Sequence, residues 1–169
     1  GDLFGWKQEN GLRKYRTAYI QVPRKNGKTT LASSIALLML FMDKERGSEI
    51  YCAASDRAQS GLVFEIAKGM ILNNKELSSR AKVFRNSITN ESKGNFFQAI
   101  SSDSNTKHGF NANCIIYDEL HTAKNRDLYD TLLTSTGARI EPLFISITTA
   151  GYDKNSICHE VYNYSKQVQ

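Results

Sequence analysis

A tight loop, Val22-Pro23-Arg24-Lys25-Asn26-Gly27-Lys28-Thr29-Thr30, joins the β-rich run that begins at Ala18 to a long apolar stretch reaching Met42. A Gly-Lys-Thr at such a junction favours folds in which a strand passes directly into the N-terminus of a helix. Glycine lets backbone approach an anion, lysine reaches the outer oxygens of a phosphate chain, and the next hydroxyl suits Mg²⁺; Gly27, Lys28 and Thr29 supply these in order. A helix opening at Lys28 adds unbonded N–H groups and a positive dipole end. Residues Pro23 to Thr30 therefore read as a phosphate cradle of P-loop type, with ATP as its ligand. In the pattern G-x-x-x-x-G-K-[ST] the first glycine falls on Val22, so the tripeptide alone also fits a surface turn. The strand before it, and the helical spacing of Leu31, Ile35, Leu38 and Met42 after it, favour the cradle.

A chain of 169 residues suits one α/β domain with a sizeable core. Its 40% hydrophobic and 23% charged residues exclude a wholly disordered chain. The apolar run from Leu31 to Met42 is interrupted by Ser33 and Ser34 and is too short to span a membrane, and no signal-peptide layout opens the sequence. A cytoplasmic location without membrane partners is expected. Cys52, Cys114 and Cys158 are far apart and form no C-x-x-C pair, so they read as small buried hydrophobes. His108, His121 and His159 are isolated and suggest neither zinc nor nucleophile chemistry. A net charge of +5 and a pI near 9.1 favour an anionic partner beyond ATP, nucleic acid among them, although they also suit a merely soluble surface. Lys7, Arg13, Lys14 and Arg16 form one basic cluster; Arg80, Lys82 and Arg85 form another. Each would meet phosphates or simply face solvent.

The rest of the chain alternates. Residues 49–54 form a second apolar strand, and Ser55 or Asp56 caps a helix running to about Leu72 with Ala58, Leu62, Ile66 and Met70 on one face. This βαβα order predicts an α/β fold with a mainly parallel sheet flanked by helices. Residues 82–84 and 96–100 read as a β-hairpin insertion around a polar turn. Strands over 113–117 and 143–148, a helix over 127–136 and a partial helix from Asn155 complete the pattern.

The apolar strand Cys114-Ile115-Ile116-Tyr117 ends in two adjacent carboxylates. In a P-loop ATPase Asp118 would hold Mg²⁺ through its water shell, and Glu119 would orient and deprotonate the attacking water. Taken alone, the pair would equally well cap the next helix. Separation by roughly ninety residues leaves room for the elements that bring loop and carboxylates to adjacent strand ends, where open α/β sheets bind ligands. A third segment, Ser146-Ile147-Thr148-Thr149-Ala150-Gly151, leaves a strand through hydroxyls and glycine, either as a plain turn or as a γ-phosphate sensor of the kind found in motor ATPases.

These segments together resemble the large terminase subunit of tailed bacteriophages, the ATPase that drives genome packaging. PRKNGKTT lacks the first glycine, as terminase loops often do; CIIYDELH is similar to the Walker B segment; GARIEPLFISITTAG is similar to the coupling motif; and AASDRAQ is similar to the segment after the second strand. The resemblance implies that Lys28 and Thr29 bind phosphates and Mg²⁺, that Arg24 contacts the γ-phosphate, that Asp118 holds the metal, and that Glu119 activates water. It further implies that Thr148 and Thr149 couple hydrolysis to movement and that Gln8 reads adenine. Arg139 and Lys107 are candidates for the family's trans-acting arginine finger or its equivalent. Double-stranded DNA, a small terminase subunit, a portal protein and a homo-oligomeric ring are the implied partners, in the host bacterial cytoplasm. The family's second, nuclease domain is not expected within residues 1–169. Two other readings stay open: a helicase-like nucleic-acid-dependent ATPase, and a non-hydrolysing nucleotide-dependent assembly module.

Overall fold

A computed structural model describes residues 2–102 and 109–168. Seven strands are assigned among them, β1 (Thr17–Gln21), β2 (Glu49–Ala54), β3 (Lys82–Val83), β4 (Ser87–Asn90), β5 (Asn95–Ser101), β6 (Ala112–Asp118) and β7 (Leu143–Thr148). They form one sheet in the order β1-β7-β6-β2-β5-β4-β3. The first five are mutually parallel, while β4 and β3 run antiparallel at one edge. The helices are α1 (Asp2–Gly5), α2 (Lys28–Met42), α3 (Arg57–Leu72), α4 (Lys75–Arg80), α5 (Asp127–Ser135) and α6 (Ile157–Gln167), with a 3₁₀ turn over Leu120–Thr122.

Central parallel strands are covered on both faces, which is why β6 and β7 read as unbroken apolar runs; every residue of both is buried. Alternation along them divides the core. Cys114, Ile116, Ile145 and Ile147 pack with α2 and α3, whereas Ile115, Tyr117 and Phe144 pack with α5 and α6. The T-shaped contact of Tyr129 with Phe144, with centroids 4.9 Å apart, belongs to the second layer.

Two helix faces differ from the sequence expectation. Along α2 Leu31, Leu38 and Met42 are exposed, and the buried set is Ala32, Ser33, Ile35, Ala36, Leu37, Met39, Leu40 and Phe41. A helix apolar nearly all round gives periodicity little to choose between faces; small Ala32, Ser33 and Ala36 let it approach its neighbours closely, and Ser33 Oγ, placed to reach both Thr29 O and Val63 O at 2.8 Å, stitches it to α3. Along α3 the buried face is Ser60, Val63, Phe64, Ala67 and Ile71, so Ala58 and Leu62 point outward. The cap is Asp56, whose carboxylate accepts from Gln59 N at 2.8 Å.

The hairpin exists with a different membership. It joins β4 to β5 through residues 91–94, with Gly94 at φ 71°, and β3 adds a short outer strand. β5 itself pairs in parallel with β2 over six residue pairs from Glu49 with Phe96 to Ala54 with Ser101. It is thus a full member of the main sheet.

The first basic cluster is largely engaged within the fold. Arg13 is buried, with its guanidinium 3.2 Å from Asp43 and bonded to Glu141 O, and its backbone N–H donates to the Glu141 carboxylate. Lys7 pairs with Glu141 at 3.0 Å, Arg16 donates to Ile140 O, and Lys14 lies over the Trp6 ring. In the second cluster Arg80 and Lys82 pair with Glu76 and Glu91. The three cysteines are buried free thiols, as expected, and burial pushes the Cys114 thiol up to about 12 and raises Cys52 well above its ordinary value. No helix among the described residues is long and apolar enough to cross a membrane.

Candidate nucleotide site

At the C-terminal edge of the parallel strands, the loop after β1 turns into α2 through Gly27, which adopts φ 71° and ψ 19°. A side chain is strained in that left-handed conformation, and a Cβ here would meet nothing within 4 Å, so the glycine serves the turn and leaves open space above it. Lys25 also takes a positive φ of 64°. Asn26 Nδ2 lies 3.3 Å from Pro23 O and 3.4 Å from Arg24 O, holding the loop on itself, and Val22 N donates to Thr148 O, fixing its base to β7. The first helical bond runs from Leu31 N to Gly27 O at 2.9 Å. Helix geometry therefore directs the N–H groups of the preceding turn out of the N-terminus, where an anion is favoured.

A cavity of about 530 Å³ opens beside this loop. Arg24, Lys25, Gly27, Lys28, Thr29 and Thr30 line one side; Asp56, Gln59, Glu119, His121 and Thr122 line the other. The elements that supply the two sides are far apart in sequence; contrary to expectation the ends of β1 and β6 are not adjacent, because the order β1-β7-β6 sets β7 between them. Lys28 is buried, and its Nζ stands 3.3 Å from Glu119 Oε1.

Asp118 ends β6 fully buried. Its Oδ2 accepts from Gln59 Nε2 at 3.0 Å and its Oδ1 from Glu119 N at 3.0 Å. Burial raises its pKa above the ordinary carboxylate value; the Gln59 bond opposes that shift and the Glu119 charge adds to it. A carboxylate in that setting is suited to a cation placed beside it. Among the described residues no group of three or more His, Cys, Asp or Glu is arranged to hold a metal ion, and magnesium in nucleotide sites commonly takes one or two protein oxygens together with phosphate and water. Thr29 at the first turn of α2 and Asp118 are the residues whose chemistry fits that limited role.

Glu119 adopts φ 51° and ψ 49°, a left-handed conformation that costs an L-residue roughly 1 to 2 kcal/mol. Its Oε2 lies 3.1 Å from His121 Nδ1 and 3.4 Å from Thr149 N. Thr148 and Thr149 are buried at the end of β7 and meet the same histidine. The loop, the acidic pair and the hydroxyl-rich strand end thus converge.

Two candidates do not join them. Gln8 sits at the opposite edge of the sheet, where Gln8 Nε2 donates to Arg13 O and the neighbouring Lys7 and Arg13 engage Glu141 and Asp43, so the placement does not support adenine reading. Arg139 is committed on the same side: its guanidinium donates to Asn111 O, Gly47 O and Glu45 Oε1 between 2.8 and 3.1 Å, with its side chain 9% exposed. That makes it a structural tie, which removes it as a finger candidate. Lys107 and His108 lie outside the described residues. Gln59 and His121 were missed as site residues. The signal for each was its place in a motif stretch, Gln59 at the end of AASDRAQ and His121 at the end of CIIYDELH.

Asp118→Asn is expected to stabilise the nucleotide-free chain. With the folded pKa raised, burying the charge costs stability at neutral pH, and that cost is relieved as pH falls through the folded pKa. A flipped Gln59 amide can accept from the new NH₂ group. Urea unfolding should show the variant ahead at pH 7 with the gap narrowing toward acid; a less stable variant at pH 7 would mean that Gln59 and the Glu119 N–H already compensate the charge.

This layout is that of P-loop ATPase domains, a strand feeding a phosphate loop with carboxylates on a strand end across one intervening strand. The chain belongs to the terminase large subunit, ATPase domain family, whose model matches residues 1–167. It is 30% identical over 142 residues to the large terminase subunit of Enterobacteria phage HK97, covering 78% of this chain and 27% of that protein. The crystal structure of the HK97 large terminase superposes with a TM-score of 0.85 at 24% identity, over 95% of this chain and 34% of that one. The large terminase ATPase domain of Thermus phage P74-26 superposes at 0.64 with 18% identity, over 89% of this chain and 68% of that one. The large terminase of a thermophilic bacteriophage, solved in complex with ADP, superposes at 0.54 with 14% identity, over 90% of this chain and 42% of that one. The chain therefore spans about a third or less of the HK97 relative. At these identities the superpositions carry the fold.

Proposed function

We propose that this chain hydrolyses ATP with Mg²⁺ and that the hydrolysis drives double-stranded viral DNA into a procapsid. The observation that carries the reading is Lys28 Nζ at 3.3 Å from Glu119 Oε1, which joins the phosphate loop to a carboxylate ninety-one positions along the chain. Lys28 and the free N–H groups of the α2 first turn would hold the β- and γ-phosphates, and Arg24, on the exposed loop lining the cavity, would reach the γ-phosphate. Magnesium, held by Thr29 and Asp118, would neutralise charge between those phosphates. Glu119 would take a proton from the attacking water, and Thr148 and Thr149 would pass the state of the γ-phosphate to β7.

Family membership supports DNA as the load, with a small terminase subunit, a portal and a ring of copies as working partners in the bacterial cytoplasm. With much of the two basic clusters engaged internally, DNA contact depends on the remaining basic surface and on neighbouring subunits. ATP turnover by this chain should require Mg²⁺, and duplex binding should fall steeply with salt and vary little with sequence. Absence of both turnover and duplex binding at low salt would favour the nucleotide-dependent assembly module.

A further inference from the structure

Between Glu119 and the end of β7 lies one imidazole whose proton can be assigned from its neighbours. Thr148 Oγ1 donates its hydrogen to Thr149 O at 2.9 Å and accepts from His121 N at 3.1 Å, so that hydroxyl has no hydrogen left for the ring. The other neighbours of His121 Nδ1 are the Glu119 carboxylate at 3.1 Å, an acceptor only, and the Thr149 hydroxyl, farther away at 3.4 Å. A proton on Nδ1 serves both Glu119 Oε2 and Thr148 Oγ1, 3.0 Å away, whereas an unprotonated Nδ1 would set its lone pair against both and be left with the 3.4 Å Thr149 hydroxyl as its donor. Gly151 gives the ring its place: a Cβ at position 151 would stand 3.1 Å from His121 Cβ.

The same carboxylate is held on its other oxygen by Lys28. When phosphate takes Lys28, that contact is lost, and what remains on Glu119 is His121 Nδ1 with a long contact from Thr149 N at 3.4 Å. We propose that His121, protonated at Nδ1, is a positioning residue that keeps the Glu119 carboxylate aimed into the site after Lys28 has turned to the nucleotide, and that it links this carboxylate to Thr148 and Thr149. The proposal rests on the ATPase reading above.

His121→Asn and His121→Ala separate this role from simple packing. An asparagine amide places an N–H on the atom equivalent to Nδ1, whereas alanine removes it. In the alanine variant kcat should fall about tenfold or more, with KM for ATP changing less than about threefold, because the lost contact orients a group that acts in the transition state. Asparagine should recover most of kcat. Both variants should unfold cooperatively in urea, so that a folding defect is visible as such. Equal turnover in alanine variant and wild type, or equal loss in both variants when both are folded, would overturn the assignment. The ¹⁵N shifts of the His121 ring give a readout independent of turnover: a neutral ring protonated at Nε2 in the nucleotide-free chain would overturn it as well. If the wild type shows no ATP hydrolysis at all, the ATPase reading fails and the ring nitrogens alone decide the contact.

Discussion

Lys28→Ala should weaken Mg²⁺-ATP binding by about ten- to a hundredfold, the scale of a buried charge-assisted hydrogen bond worth roughly 1.5 to 3 kcal/mol. The side chain is 7% exposed, with Glu119 as its charged partner. Nucleotide must therefore exchange one anionic partner of Lys28 for another, which limits the net gain in the wild type. Removing the lysine also leaves Glu119 facing incoming phosphate without a cation between them, a repulsion that adds to the loss. Isothermal titration with a slowly hydrolysed ATP analogue checks this. Unchanged affinity would remove the loop from the nucleotide site.

Glu119→Gln should reduce turnover by about a hundredfold or more while leaving ATP binding intact or tighter. The amide keeps the size of the side chain and its hydrogen bond from Thr149 N, and it frees Lys28 from its ion pair. A general base acts mainly in the transition state, so its loss appears in kcat and spares affinity. Single-turnover hydrolysis beside equilibrium binding separates the two. Equal rates in the two proteins would leave Glu119 as a charge partner of Lys28 and His121 with no part in the chemistry.

Much of the parallel sheet was legible because buried strands must be apolar along their length. Residues 113–117 and 143–148 could hardly be anything else once βαβα order was established. The loop and the acidic pair were legible because chemistry dictates residue type and order there. Helix faces were less so: α2 is apolar on nearly every side, and its buried face is decided by small residues packing against α3 and the sheet, a property of the partner surface. β5 was misplaced for a related reason, since antiparallel pairing with β4 and parallel pairing with β2 impose similar patterns on one strand. Gln8 and Arg139 show the limit for site residues. A lone glutamine and a lone arginine carry no spacing, and both belong to the edge of the sheet that closes on Glu141, Asp43 and Glu45. His121 is the converse case, the last residue of CIIYDELH, brought against the end of β7 by the 3₁₀ turn that no spacing foretold.

Hydrogen exchange of the backbone amides, with and without Mg²⁺ and a slowly hydrolysed ATP analogue, locates the nucleotide most directly. Nucleotide seated on the loop should slow exchange at residues 25–30 and at 119–121 and leave residues 7–13 and 139–141 unchanged. Protection confined to residues 7–13, or none at the start of α2, would contradict a nucleotide site at the C-terminal edge of the sheet.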